Sequence, residues 1–550
     1  MSDFVLRALA RLPSSVWYLF LALGLYAIYR WTRTDSLKEL KSPPGARLLG
    51  GHLHFILHPG QSPLAHELCV KRYGRNVRVQ GLHPWDQRLL PLDPVTLLHI
   101  LKNTTIYEKP KMSRDIITRL IGLGMLSAEG HVHKRQRRVA TPAFSVQNLR
   151  ALIPLVFGIG EETKDRWMSL MATAGDEKKK GMVLDVSNWM GRATFDVIGL
   201  AGFDYHFNAV QNETNELFVA YRDMFETSLA QGQTSRSFLG IVFPFINKIF
   251  PDAYTRAIHH GRSIITKVAT ELVQQKKRNV ADGIESGKDL LTLLLRSNAA
   301  VDLPEEQRIS DDDILHNINT FIFAGSDTTS LALTWTLLLL AKHLPMQTRL
   351  REELRSVPRP AALNEEDTQD LYAAVAALPY LDNVVRESLR LISPVHSSLR
   401  VATVDDYIPT GKPFVGADGR VHEGITIRKG TYIHVPIEGI NLDRKIWGEN
   451  AWQFVPDRWN NLPEAVLELP GLYSNILTFS AGPRSCIGQK FSLIEIKAFL
   501  YTLIGNFVFT ESDQKIVKAN VVLTRPYVSN KFREGSKCPL MVTPFVPSDD

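Results

Sequence analysis

Residues 479–491 read FSAGPRSCIGQKF, with Cys486 set between Arg484 and Gly488 just ahead of the helix-forming run SLIEIKAFLYTL. A cysteine at a helix start is favoured as the thiolate, because unpaired amides and the helix dipole meet its charge. Gly482 and Gly488 let backbone approach a flat ligand closely, and the guanidinium of Arg484 matches a carboxylate with two hydrogen bonds. The chain has three cysteines in all. Cys69 and Cys538 are expected to be small buried hydrophobes, and no CxxC spacing suggests zinc or a redox pair.

Two further constellations carry chemistry. AGSDTT, Ala324 to Thr329, falls midway along a long apolar helix. Gly325 costs that helix up to about 1 kcal/mol relative to alanine, which is expected where a bulky ligand lies against the face formed by Ala324 and Gly325. A Ser/Thr-tolerant kink in a buried helix is the structural alternative. Glu387 and Arg390, in RESLR, are three apart and share a helix face, with YLDNVV before them and LI after. Glu352 and Arg355 have the same spacing in a highly charged stretch and are expected on a solvated surface.

Phe479, Gly482, Arg484, Cys486 and Gly488 fit FxxGxRxCxG, and with this motif the chain resembles the cytochrome P-450 haem-thiolate monooxygenases, in particular fungal microsomal members. The resemblance runs through the whole chain and implies haem b with Cys486 as axial iron ligand. It assigns Arg484 to a haem propionate, Ala324 to the groove above the haem, Thr328 to hydrogen bonding of dioxygen there, and Asp327 to proton relay from solvent. Glu387, Arg390 and Arg458 of FVPDRW become a buried structural cluster, although Asp457 and Trp459 stand where the family often has glutamate and phenylalanine. GHVHKRQRRVATPAF resembles the family's WxxxR helix with His133 in the tryptophan position, so that Arg137, and Arg400 from SPVHSSLR, become propionate ligands. Lys134 and Arg138 share another face of that helix, open to an acidic electron donor or simply solvated. By the same analogy Phe323, Val395, His396 and Leu523 line the substrate pocket. The reaction implied inserts one atom of O2 into a hydrophobic substrate, with electrons from NADPH through a membrane-bound reductase, since no dinucleotide fingerprint is present in this chain.

These residues must be positioned by a fold that is mainly α with a minor β region. Ser310 is placed to cap a helix that opens with three aspartates and runs to about His343, stopping before Leu344-Pro345. LALTWTLLLLA is apolar nearly all round, so this helix should cross the protein interior. A second helix is expected from Pro379 to near Pro394, and strand-like pieces such as Thr431 to Ile437 are short and few. AGDEKKKG and RPAALNEEDTQD read as surface loops. Length alone would suggest about three domains, but the family order of motifs implies one haem domain over 51–550.

The 550 residues are 44% hydrophobic and 22% charged, with a formal charge of +7. That excess favours an anionic membrane surface or an acidic protein partner; scattered basic residues without a recognition motif set nucleic acid aside. Widely separated, odd-numbered cysteines fit a reducing compartment. Leu12 to Tyr29 contains no charged residue and is rimmed by Trp17, Tyr18, Tyr29 and Trp31, as suits a transmembrane helix over 12–31 after a short segment 1–11. Basic residues after the span outnumber those before it, which places the body in the cytosol, with a proline-containing hinge at 32–50; the resemblance to microsomal members implies that the membrane is that of the endoplasmic reticulum. The apolar segment Phe238 to Phe250 would dip into the lipid bilayer and admit a terpenoid, sterol or fatty acyl substrate; core packing accounts for it equally well. A haem-thiolate isomerase or dehydratase acting on peroxides would not need the Asp327-Thr328 relay, and a haem sensor would need neither the relay nor the apolar segment.

Overall fold

Short β-rich runs from both halves of the sequence gather into one sheet. The computed structural model describes residues 18, 21, 22, 24–26, 29, 37–48, 50–173, 181–230, 253–282, 287–300, 304–360, 364–520 and 522–546. The chain divides into two compact units, one of residues 1–108 with 398–436 and one of 109–397 with 437–550. Among the described residues no single helix is long and apolar enough to cross a membrane. The expected span 12–31 lies largely outside the described residues, and Phe238 to Phe250 wholly outside them. Of the span, the described residues Tyr18, Leu21, Leu25, Tyr26 and Tyr29 are helical and exposed.

The sheet of the first unit runs in the spatial order Asn76–Gln80, Gln87–Pro91, Tyr432–Val435, Ser398–Ala402, Tyr107–Glu108. Its pairs are antiparallel except Gln87–Pro91 with Tyr432–Val435, which run parallel. Val77 and Val79 alternate onto one face, which Leu90 opposite Val77 shares, while Leu89 and Ile433 pair on the other face, and all five are fully buried. The hairpin Asp406–Val415 with Val421–Ile427 holds the chain that follows the span: Ala417 donates its amide to Glu39 O at 2.7 Å, and Leu37 and Leu40 are fully buried.

The second unit is mainly helical, with two small sheets among the described residues. The helices that matter for the site are α1 (Gly130–Ala140), α2 (Val186–Phe203), α3 (Glu216–Ala230), α4 (Asp311–Lys342), α5 (Leu344–Arg355), α6 (Pro379–Leu391) and α7 (Gln489–Asn506). α4 forms as its sequence dictates. The Ser310 hydroxyl accepts from the amide of Asp313 while the Asp313 carboxylate accepts from the amide of Ser310, a complete capping box. Three aspartates face the positive end of the dipole, and the helix ends at Lys342 because Pro345 forbids its continuation. Its 32 residues span about 48 Å. From Ser330 to Ala341 every residue is buried, and each leucine removed from water there contributes about 2 kcal/mol.

Neighbouring helices lock α4 through its few polar groups. Thr194 of α2 donates to Ser326 O at 3.0 Å, Thr336 meets Ser388 of α6 at 2.6 Å, and Trp335 donates to Thr524 O at 2.8 Å. Glu352 and Arg355 of α5 are exposed, as expected. The same helix turns Arg351 inward, where it donates to Ile504 O and Phe507 O and ties α5 to the end of α7.

Candidate active site

The cysteine loop is a tight structure closed on itself. Ser480 has φ 60° and Gly482 φ 69°, left-handed turns that fold the chain back so that the Cys486 amide donates to Phe479 O at 3.0 Å. Phe479 is buried edge-on against Tyr473. Gly488 then caps α7, two residues beyond the thiol, and its amide reaches the sulfur. Burial pushes the Cys486 thiol up, opposed by that amide and by the charge of Arg137. Although it lies deep enough for desolvation to dominate, Cys486 is exposed while Cys69 and Cys538 are buried.

α1 braces the loop with cations. Arg137 Nη1 donates to Ser485 O at 2.7 Å, and Arg484 Nη1 donates to Ala128 O at 2.8 Å. Arg484 also pairs with Glu129. His133 is buried beside these groups and its imidazole is pushed down to about 3, first by burial and then by the charges of Arg484, Lys109 and Arg137. It is a neutral residue here. Lys134 and Arg138 are exposed.

Phe144 connects this loop to α4. Its ring packs edge-on against Phe321 with centroids 5.7 Å apart, and its Cε1 lies 4.0 Å from where a Cβ on Gly488 would stand. Phe321 and Ala324 are three apart and share a face, and Ala324 is exposed in the middle of a helix otherwise largely buried. The expectation for Gly325 is corrected. A Cβ there would come within 2.8 Å of Ile198 Cδ1, so its smallness serves the close packing of α4 on α2, and the face left open for a ligand is that of Ala324.

The two expected relay residues part company. Thr328 Oγ1 donates to Ala324 O at 2.8 Å, a bond along its own helix. Asp327 pairs with Arg525, a residue no motif flagged, from the strand Thr524–Val528. Both border a cavity of about 50 Å³ together with Ser187, Asn188, Tyr221 and Ser326, polar enough and large enough for about one ordered water. Tyr221 OH lies 3.2 Å from Ser326 Oγ, and burial followed by the charge of Asp327 pushes its phenol up.

Glu387 of α6 is fully buried and saturated. Oε1 accepts from Arg390 at 2.8 Å, Arg458 at 2.9 Å and the Val455 amide at 3.0 Å; Oε2 accepts from Arg390 Nε at 2.9 Å and Trp459 Nε1 at 3.2 Å. Arg390 also donates to Asn441 O and Ala451 O, both at 2.8 Å. The tryptophan that departs from the family habit is thus a fifth donor to the carboxylate, and Asp457 leaves the cluster for a surface pair with Arg349.

Of the expected pocket residues, Val395 and Phe323 are half-buried and His396 and Leu523 buried. Thr524 donates its amide to Pro394 O and its hydroxyl to Ser393 O, both at 2.8 Å, which draws Leu523 towards Val395 and His396. Arg400 belongs to the first unit, where it is buried and donates to Leu399 O at 2.8 Å.

These groups suit a haem: a reachable thiol at a helix start, guanidinium groups of Arg137 and Arg484 for carboxylates, and a helix face kept small at Ala324. The comparisons agree. A family model described as cytochrome P-450 matches residues 42–529. Cytochrome P-450 monooxygenase 128 of Postia placenta is 35% identical over 525 residues, covering 92% of this chain and 93% of its own length. Cytochrome P-450 monooxygenase claW of Ampulloclitocybe clavipes is 32% identical over 524 residues, with 93% of each chain covered, and ganoderic acid synthetase of Ganoderma lucidum is 32% identical over 543 residues, with 94% of each covered. The chain belongs to the cytochrome P-450 family and is a haem-dependent monooxygenase.

Proposed function

We propose that this enzyme is an endoplasmic-reticulum-anchored monooxygenase that takes electrons from NADPH through a membrane-bound reductase and oxidises a hydrophobic substrate of terpenoid, sterol or fatty acyl class. The observation that carries the reading is the accessible Cys486, fixed by Phe479 O and the Gly488 amide and joined through Phe144 to the Ala324 face of α4. Haem, when bound by the Cys486 thiolate, supplies the activation of O2, and the electron-rich sulfur favours O–O cleavage.

The chain's own residues manage protons and water. Cleavage with release of water consumes two protons. Asp327, held by Arg525 at the polar cavity, accepts a solvent proton that reaches it through water there and passes it to Thr328 Oγ1, which turns away from Ala324 O by rotation about its Cα–Cβ bond and releases its own hydroxyl proton towards the reacting atoms. Apolar Leu523 and Val395 keep bulk water from the reacting atoms, and buried His396 adds a polar contact for one end of the substrate. A relative named ganoderic acid synthetase supports a role in secondary metabolism.

The test is a reconstitution of the microsomal protein with reductase, NADPH and O2 against a panel of terpenoids, sterols and fatty acids. The expected result is a far-red carbon monoxide band of the reduced protein and NADPH-dependent product. A protein that shows the band yet rearranges peroxides with no reductant would overturn the reading.

A further inference from the structure

We propose that Glu438, gripped by Lys518 and Asn520, is a positioning residue for the substrate pocket: it fixes the hairpin turn that carries Leu523 in the frame of the cysteine loop, and so sets how bulky a hydrophobic molecule that wall accepts. The inference deepens the proposed function and rests on the reading that Leu523 lines the pocket.

The hairpin pairs Ile516–Asn520 antiparallel with Thr524–Val528, with Asn520 opposite Thr524, Ala519 opposite Arg525 and Lys518 opposite Pro526. Successive side chains of a strand point to opposite faces, and directly opposed residues share one. Lys518, Asn520 and Thr524 therefore present one face, and Ala519 and Arg525 the other. The contacts follow that division. On the first face Thr524 Oγ1 donates to Ser393 O, Lys518 pairs with Glu438 Oε1, and Asn520 Nδ2 donates to Glu438 Oε2 at 3.3 Å. On the second face Arg525 pairs with Asp327 of α4.

Glu438 belongs to the short helix Ile437–Asn441, whose residues are all buried. Its amide donates to His396 O at 2.9 Å, so one residue holds the pocket segment by its backbone and the hairpin by its side chain. The two strands reach residues 393–396 by separate routes, Thr524 directly and Lys518 with Asn520 through Glu438. Leu523 lies in the turn between these ties. The other end of the helix is joined to the approach of the cysteine loop: Asn441 Oδ1 accepts from the Leu477 amide at 2.9 Å, and its Nδ2 donates to Thr478 Oγ1 at 3.0 Å. Thr478 immediately precedes Phe479, on whose carbonyl the Cys486 amide closes. The helix is thus a strut from the cysteine loop to the hairpin. A buried carboxylate tolerates little displacement of its partners, since each would leave charge or a polar group uncompensated.

Two azoles of different reach test this on the full-length, haem-loaded protein. Each binds the iron through nitrogen, and the ferric Soret shift gives its Kd; phenylimidazole is small and stays near the iron, whereas clotrimazole is bulky enough to meet the pocket walls. Glu438→Gln and Lys518→Met are each expected to weaken clotrimazole about ten-fold, because a turn freed from its tie must be ordered again when the ligand packs on it. Phenylimidazole should stay within about two-fold and the carbon monoxide band should be kept. The exchanged pair, Glu438→Lys with Lys518→Glu, should return clotrimazole to within about three-fold of the native Kd. Equal weakening of both azoles, unchanged clotrimazole binding, or an exchanged pair no better than the single variants overturns the proposal. If Glu438→Gln does not retain haem, Lys518→Met, at the more exposed end of the pair, decides by the same ratio. Leu523→Trp separates the two readings. If it leaves both azoles unchanged, the pocket assignment fails and the proposal with it; an altered clotrimazole Kd in Leu523→Trp beside an unaltered one in Lys518→Met sinks the proposal alone.

Discussion

Arg458 Nε lies 2.9 Å from Glu387 Oε1, the same oxygen that Arg390 Nη2 reaches at 2.8 Å. One carboxylate thus joins α6 to the segment that precedes the cysteine loop, and two guanidinium groups share its charge. Removing one member of such a set leaves the others charged and buried, which costs about 3 to 5 kcal/mol. Glu387→Ala is therefore expected to abolish haem retention, measured as the ratio of Soret to protein absorbance. Trp459→Phe removes a single 3.2 Å bond and should cost about 1 kcal/mol, seen as a small fall in Tm with haem retained.

His133 makes stability depend on acid. Its folded-state value of about 3 lies below the roughly 6.5 of an unfolded histidine. Between these values the unfolded chain binds a proton that the native chain refuses, so this contribution to stability is complete above about pH 6.5 and is lost as pH falls towards about 3. His133→Asn should flatten the pH dependence between pH 7 and pH 4 by about 3 kcal/mol. Denaturant midpoints at pH 4 and pH 7 for both proteins check this, and parallel pH profiles would count against a neutral buried imidazole.

Thr328 and Arg525 should fail differently. Thr328→Ala removes the last hydroxyl of the relay and is expected to keep NADPH consumption while product falls about 100-fold and peroxide accumulates. Arg525→Gln frees Asp327 from its partner and should slow turnover with a raised solvent deuterium isotope effect, while coupling changes less. Peroxide yield and isotope effect, measured on the same preparations, distinguish the two.

How much of this could be read in advance follows from the range of each interaction. The ends of α4 and α6 were legible because Ser310, Pro345 and Pro379 act on their own backbone. The cysteine loop was legible because its closure, from the Cys486 amide to Phe479 O, spans seven residues. Arg525 was not flagged, since its partner Asp327 lies far away in sequence. Gly325 was misread for the same reason: a small residue announces that something lies close, and only the packing reveals that it is Ile198.

The proposed membrane attachment rests on the stretch before residue 37. From Leu37 onwards the chain is pinned to the first unit: Leu37 and Leu40 are fully buried, Glu39 O accepts from Ala417, and the Glu39 carboxylate meets His422 at 3.2 Å. Residues 12–29 carry no charge, and about 20 apolar residues suffice to span a bilayer. Full-length protein should stay with the membrane pellet after alkaline carbonate extraction, whereas a chain starting at Leu37 should enter the soluble fraction and keep its carbon monoxide band. Asn103 and Asn212, which begin glycosylation sequons, should remain unmodified if the body faces the cytosol, the side that an excess of basic residues after a span favours. Release of the full-length protein by carbonate, or glycan on either asparagine, would refute this topology.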